Sequence, residues 1–458
     1  MNTFSRGMIA LAVASVFAAA AQAAATPEEI AQIGTKYLPW GAEKAGNKEG
    51  TIPEWKGPVK AANYDPKVPG ARPDPFADEK PLFSIDGKNA DQYADKLSEG
   101  IKAMLKKYPE YRLDIYPTHR TANYPELFKE NAVKNATACK TMDDGLKLDG
   151  CYAGTPFPFP KTGNEVMWNR LLKYDNYITD VKGLASYLVN PKGGMTVAGK
   201  YDFIAYYPIF NPKQTGPIGP RDPYEKIRID YYEPARKAGE KLVIHDNVDM
   251  VSIGRQAWSY LPGQRRVKLS PDVAYDTPSP TGGTAATVDD SAVFYGALDR
   301  YDFKLIGKKE LFIPYHNYRA RDLKVCPPEV INTPMFLNPD CVRWELHRVW
   351  VVEANVKPGK RHMYPRRVIY WDEDIPGIGI SDNYDAAGQL YRVSHSVPIT
   401  FYEAPGAGHA TDQFVTYDLS NGYYGHQMYS TDPRGWEVIE PKPEHHFSPE
   451  ALAGSGIR

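Results

Sequence analysis

The sequence predicts a mainly β protein of the α+β class, built on one large curled antiparallel sheet with helices gathered toward its N-terminal side. Three observations carry this. From Tyr174 onward the apolar residues recur with period two and stay in that pattern. The segments are separated by tight turns such as Pro262-Gly263, Pro358-Gly359 and Ala387-Gly388, which suit hairpins. The composition holds 32 Tyr and 40 Pro against 10 Met and 4 Cys, which favours strands, turns and extended arms.

Residues 1–23 read as a secretory signal: Arg6, an apolar run from Met8 to Ala21, then Ala21-Gln22-Ala23, with cleavage expected after Ala23. A membrane anchor is the alternative, but the run is Ala-rich and shorter than the roughly 20 strongly apolar residues of a spanning helix. No cysteine stands near the cleavage site, which excludes the lipid-anchored route. The expectation is a soluble, exported protein of the periplasm that is not lipid-anchored.

Residues 24–88 begin with a short helix over 26–36, with Thr26 as N-cap, Pro27 at its first position and glutamates in its first turn. Between residues 39 and 81 stand Pro39, Pro53, Pro58, Pro66, Pro69, Pro73, Pro75 and Pro81. That density predicts an extended arm, either draped over the body or left as a tether. Residues 89–174 carry helical spacing over Ala90–Lys107, Pro125–Thr137 and Gly163–Tyr174, and Pro156-Phe157-Pro158-Phe159-Pro160 forms a rigid extended entry to the last of these. Residues 175–440 hold the strands, with alternation over 201–207, 227–232, 241–251, 257–269, 304–312, 344–355, 361–370 and 389–396. A sheet of this extent twists and closes at least partly around something. Residues 441–458 form a tail containing proline and histidine.

The four cysteines form two local sets, Cys139 with Cys151 and Cys326 with Cys341. In an oxidising compartment two local disulfides are the default, with other pairings open. Neither set has the close spacing of a zinc knuckle.

Net charge is -1, from 55 Lys and Arg against 56 Asp and Glu, which argues against nucleic acid as a partner. There is no Gly-x-Ser-x-Gly or Ser-x-x-Lys motif, and disulfide formation would remove the thiols from nucleophilic duty, so catalysis is not expected. No cofactor or metal is expected either. Glu444-His445-His446 reads as a solvated cluster rather than a metal site. Trp371-Asp372-Glu373-Asp374 reads as a turn with solvated acids rather than a calcium loop. Arg343, Glu345, His347 and Arg348 alternate with Trp344, Leu346, Val349 and Trp350, which predicts a strand with one wet face; the alternative is the polar lining of a cavity mouth. The basic groups Arg265-Arg266-Val267-Lys268 and Arg361, His362, Arg366 and Arg367 read as solvated strand faces, with anionic lipid as the alternative contact. The aromatics are the most informative set. Most should fill the core, yet a curled sheet lined by aromatics also shelters an apolar ligand. The candidate cavity residues are Trp258, Tyr260, Trp344, Trp350, Tyr370 and Trp371.

Four segments bear a family resemblance. They are residues 42–55 (AEKAGNKEGTIPEW), 156–160 with 163–169 (PFPFP and GNEVMWN), 256–267 (QAWSYLPGQRRV) and 345–353 (ELHRVWVVE). Together and in order they resemble the proteobacterial family catalogued as domain of unknown function 1329, over nearly the whole mature chain. That family has no settled activity and distantly resembles the periplasmic lipoprotein carriers LolA and LolB. The resemblance implies a half-open β-barrel with helices covering an apolar concave face. It also implies a place beside a resistance-nodulation-division type exporter and an outer-membrane protein. This chain is longer than the small carriers, and unlike LolB it has no lipid anchor.

Three functions follow as expectations. The first is a periplasmic carrier or chaperone of a hydrophobic ligand or lipid. The second is a hydrolase or isomerase of an apolar substrate, using His347 or His362 beside Glu345 or Glu353. The third is a non-catalytic adaptor between an inner-membrane exporter and the outer membrane.

Overall fold

A computed structural model describes residues 25–65, 67–68, 72–280, 283–402 and 409–454; the signal peptide expected over residues 1–23 lies outside them. The first helix, α1 (Pro27–Ala31), opens on a capping box: Thr26 Oγ1 accepts from the Glu29 amide at 3.2 Å, and Glu29 Oε2 accepts from the Thr26 amide at 2.8 Å. It ends at Ala31 rather than at residue 36, because Gly34 at φ +86° turns the chain and donates to the Tyr37 carbonyl. The Pro-rich arm then lies on the body. Leu38, Trp40 and Ile52 are buried in the main core, the Trp40 ring meets Trp55 and Tyr124 edge-on, and Trp55 Nε1 donates to the Ala122 carbonyl at 2.8 Å.

After β1 (Phe83–Ile85) the helix expected over residues 90–107 divides into a 3₁₀ segment, Ala90–Lys96, and α2 (Glu99–Lys107). Leu97 is extended, and Ser98 caps the new helix through the Ile101 amide at 3.2 Å. Gly100 permits the approach of α2 to the sheet, since a Cβ there would stand 2.2 Å from Asp382 Oδ1. The chain continues through β2 (Leu113–Ile115), α3 (Glu126–Ala138), the hairpin β3 (Lys140–Met142) and β4 (Lys147–Asp149), and α4 (Gly163–Leu171).

Six strands then run as an antiparallel meander: β5 (Ile178–Val189), β6 (Met195–Tyr206), β7 (Pro223–Glu233), β8 (Lys241–Asn247), β9 (Gln256–Leu261) and β10 (Arg266–Leu269). Two of the expected strands are cut by local chemistry. The Asp249 carboxylate accepts from the amides of Val251 and Ser252 and ends β8, and Arg265 at φ +49° turns the hairpin between β9 and β10. A small hairpin, β11 (Pro278–Ser279) with β12 (Gly283–Thr287), follows. The second half holds β13 (Tyr301–Pro314), α5 (Pro328–Ile331), β14 (Arg343–Val356), β15 (Arg366–Asp372), β16 (Gly379–Tyr384), β17 (Leu390–Thr400), β18 (His409–Asp418), β19 (Tyr424–Ser430), β20 (Trp436–Val438) and α6 (Pro449–Gly454).

These strands make one 16-stranded sheet, ordered β1-β2-β14-β15-β16-β17-β18-β19-β5-β6-β7-β8-β9-β10, with β13 beside β14 and β20 beside β5. All pairs are antiparallel except β2 with β14, where Asp114 and Ile115 run parallel to Arg343 and Trp344. The sheet does not close, for β1 and β10 stand at its two ends among the described residues. It is a half-open barrel. Arm, helices and both halves of the sheet share one apolar core. Cys139–Cys151 and Cys326–Cys341 are both disulfides.

Several polar expectations are overturned here. Asp372, Glu373 and Asp374 are not solvated: Asp374 takes two bonds from Arg120, at 2.7 and 2.9 Å, and Glu373 meets Lys308 at 2.7 Å and Arg348 at 3.3 Å. Nor does β14 have a wet face. Arg343, Glu345, His347 and Arg348 are all buried, because the arm and the connection after β2 cover them. His362 and Arg367 are buried as well, on Asp289 at 3.0 Å each. Each of these charges meets a partner far away in sequence, which local patterning cannot register.

Candidate functional site

Alternation along β7 builds the site. Glu225, Ile227, Ile229 and Tyr231 point to one face, joined by Phe203 and Tyr201 from β6 and by Leu242 and Ile244 from β8. Over this face lies a cavity of about 140 Å³. It is covered by Arg170 and Leu171 of α4 and by residues of the segment 273–295, which holds β11 and β12; Phe401, Phe414, Met428 and Trp436 complete the wall. The six steps from Glu225 to Tyr231 amount to about 20 Å of strand, so the cavity is a slot rather than a sphere.

Its two ends differ. At the Tyr231 end the rings of Tyr201 and Tyr231 lie 5.5 Å apart. At the Glu225 end a buried polar cluster gathers. Arg255 makes a two-pronged pair with Asp246 at 2.8 and 2.9 Å, and the Tyr295 hydroxyl lies 2.5 Å from Glu225 Oε2 and 2.6 Å from Asp246 Oδ2. Lys173 pairs with Asp175, which also accepts from the Tyr207 hydroxyl at 3.1 Å. Burial, helped by Asp246, raises the Glu225 carboxyl above the usual range. Burial works against the Arg255 cation, yet Asp246 beside it carries its pKa up. Burial, with Arg170 next to it, pushes the Lys173 ammonium well down. An apolar slot with convergent polar groups at one end is the usual form of a small-molecule site, although its volume lies below the roughly 300–1,000 Å³ common for such sites.

None of the six aromatics singled out from the sequence lines this slot. Register decides two of them. Trp258 pairs with Val243 and Tyr260 with Lys241, so both stand on the face opposite Leu242 and Ile244, where they pack with Leu452 of α6. The Trp344 ring lies 5.4 Å from His395, Trp350 lies under Lys308, and the Tyr370 hydroxyl donates to Asp382 at 3.2 Å. Trp371 comes nearest in role, its ring 5.1 Å from the Arg170 guanidinium and its Nε1 donating to Met167 Sδ at 3.5 Å. The lining residues that sequence reasoning missed had one available signal, the alternation Glu225, Ile227, Ile229, Tyr231.

Of the groups considered for catalysis, His347, His362 and Glu345 are sealed into the core, while Glu353 is part-exposed and pairs with Arg366 at 3.0 Å. His347 Nε2 lies 3.3 Å from Glu345 Oε2, and His316 Nδ1 lies 2.9 Å from Glu345 Oε1. Burial lowers His316 to about 4 against the pull of Glu345, while the neighbouring His316 and Arg343 hold Glu345 well below the usual range despite its own burial. None of these lines the slot, and His362 meets Asp289 rather than Glu353. The cluster ties elements together: Arg343 joins Glu345 at 2.6 Å to Glu79 at 2.6 Å. Among the described residues no group of three His, Cys, Asp or Glu side chains is placed to hold a metal ion.

Comparison with known proteins bears on the whole chain. An uncharacterised protein of Pseudomonas aeruginosa is 36% identical over 460 residues, covering 99% of this chain and 98% of that one. Among solved structures, a putative outer membrane lipoprotein-sorting protein domain from Vibrio parahaemolyticus superposes with a TM-score of 0.42 at 13% identity, over 63% of this chain and 97% of that one. A DUF1329 family protein from Desulfovibrio piger gives 0.40 at 14% identity, over 61% and 92%. A LolA superfamily protein from Nitrosomonas europaea gives 0.35 at 12%, over 63% and 98%. The family described as protein of unknown function (DUF1329) matches residues 84–453, and with that match and the Pseudomonas relative, the chain belongs to it.

Proposed function

We propose that this protein binds a hydrophobic small molecule or lipid in the slot over β6, β7 and β8 and carries it through the periplasm, without catalysis. The observation that supports this is the slot itself, apolar along its length and polar at one end. Each Å² of apolar ligand surface withdrawn from water there is worth about 25 cal/mol. The segment 273–295 and α4 form the cover, and release requires these to part. Export is supported by the N-terminal signal pattern and the two disulfides, and no helix among the described residues is long and apolar enough to cross a membrane. The exporter and outer-membrane protein are proposed as donor and acceptor on the family resemblance.

The test is native mass spectrometry of the protein purified from its own envelope, with organic extraction of whatever it holds. A bound apolar compound released on extraction is the expected result. An empty protein that also takes up no apolar probe overturns the reading.

A further inference from the structure

Arg170 sits in the last turn of α4, is 3% exposed and lines the polar end of the slot. Its Nη2 donates to the Ala292 carbonyl at 3.0 Å, and its Nε, fully buried, makes no hydrogen bond to protein. It has no ion pair among the described residues, whereas the other two cations at this end are matched, Arg255 with Asp246 and Lys173 with Asp175. The Glu225 carboxyl nearby is engaged by the Tyr295 hydroxyl. A buried guanidinium held by one carbonyl and a ring face, with the Glu225 carboxyl acting on it only from a distance, is left without an acid in contact. Burial accordingly pushes it below its ordinary range. The slot that leads away from it follows Ile227 and Ile229 toward Tyr231 and holds about 140 Å³.

We propose, resting on the carrier reading above, that the ligand is a single-chain amphiphile whose anionic head pairs with Arg170 and whose tail runs along Ile227 and Ile229 toward Tyr231. Carboxylate and phosphate heads share the required chemistry, since each accepts from a guanidinium edge. A neutral alcohol of the same chain length gains the tail contacts only. A volume of about 140 Å³ favours one chain over two.

The experiment displaces the neutral fluorophore N-phenyl-1-naphthylamine from the purified mature protein at pH 7.5 with decanoate, decyl phosphate and decan-1-ol. A charge-assisted bond to a buried cation predicts that one or both anions displace the dye at least about tenfold more tightly than the alcohol, and the better of the two identifies the head. In Arg170→Leu the preference collapses to within about threefold. Alcohol and anions binding alike in the unaltered protein overturns the inference, and so does a preference that survives Arg170→Leu. These outcomes leave the carrier reading standing, because the slot still takes an apolar chain. Failure of the dye and all three compounds to bind overturns both. Should Arg170→Leu not fold, the comparison in the unaltered protein decides alone.

Discussion

Arg120 and Asp374 meet across 254 residues of sequence, and both are almost wholly buried. Arg120 also donates to the Glu43 carbonyl at 2.6 Å, so one side chain ties the acidic end of β15 to the Pro-rich arm. Burial opposes the Asp374 carboxylate, but Arg120 brings it below the usual range, and the same pair raises the Arg120 pKa. Asp374→Ala removes both charge-assisted hydrogen bonds from that buried guanidinium, leaving Glu373 at 3.8 Å as its nearest acid, and is expected to cost about 3 kcal/mol in urea denaturation. A loss under 1 kcal/mol would contradict this account. Buried histidines give the second prediction. Burial holds His395 at about 4 and His426 at about 3, against roughly 6.5 in an unfolded chain. Between those values the unfolded chain binds protons that the folded one refuses, so this contribution to stability is lost as pH falls from about 6.5 toward 4. Asp382 acts the other way: burial lifts it to about 6, so the folded chain takes that proton first as pH falls and gains stability between about 6 and 4. His395→Asn should therefore flatten the decline of Tm between pH 6.5 and 4 by removing one of the buried histidines, His316 among them, that destabilise the fold in that window. An unchanged slope would rule that out.

At the scale of elements, two disulfides close short loops that each hold a small regular element. Cys139–Cys151 closes 12 residues around the β3–β4 hairpin, and Cys326–Cys341 closes 15 residues containing α5. Loop entropy puts each at about 3 kcal/mol. The double substitution Cys326→Ser, Cys341→Ser is expected to lower stability by about that amount, read from the denaturation midpoint. Helix placement was partly legible: Thr26 with Glu29 caps the first helix as expected, whereas Ser98 and Thr162 with Glu165 prove to be caps in the structure. Their ends were less so. α4 stops at Leu171 rather than Tyr174, and the break at Leu97 follows from Ser98, whose hydroxyl caps α2 and also donates to Asp382 on β16 at 2.9 Å. That second bond belongs to the assembled sheet.

The whole molecule is one open sheet whose inner face is roofed twice, by the arm and helices over one half and by the segment 273–295 over the other. β12 packs against β5, β18 and β19, which places the roof across the seam where the two halves join. Occupancy of the slot is expected to depend on its free volume. Ile229→Trp, which overfills a wall position, should abolish binding of an apolar fluorophore at a stability cost of about 1–3 kcal/mol. Full binding by a folded Ile229→Trp protein would move the site elsewhere.

Local sequence determined the class of this fold, because period-two alternation and Pro- and Gly-containing turns act within a few residues of one another. It also made local cysteine pairing the default, with other pairings open; the partners prove to lie 12 and 15 residues apart. It left the site undecided. Trp258 and Leu242 are equally apolar strand residues, and only the register of β8 against β9 sends one to α6 and the other to the slot. The run Asp372-Glu373-Asp374 is as acidic as any solvated turn; what buries it is the arrival of Arg120, Lys308 and Arg348. Pattern is a property of neighbours in the chain, whereas cavities and buried charges are made between strangers, and only the folded chain brings those together.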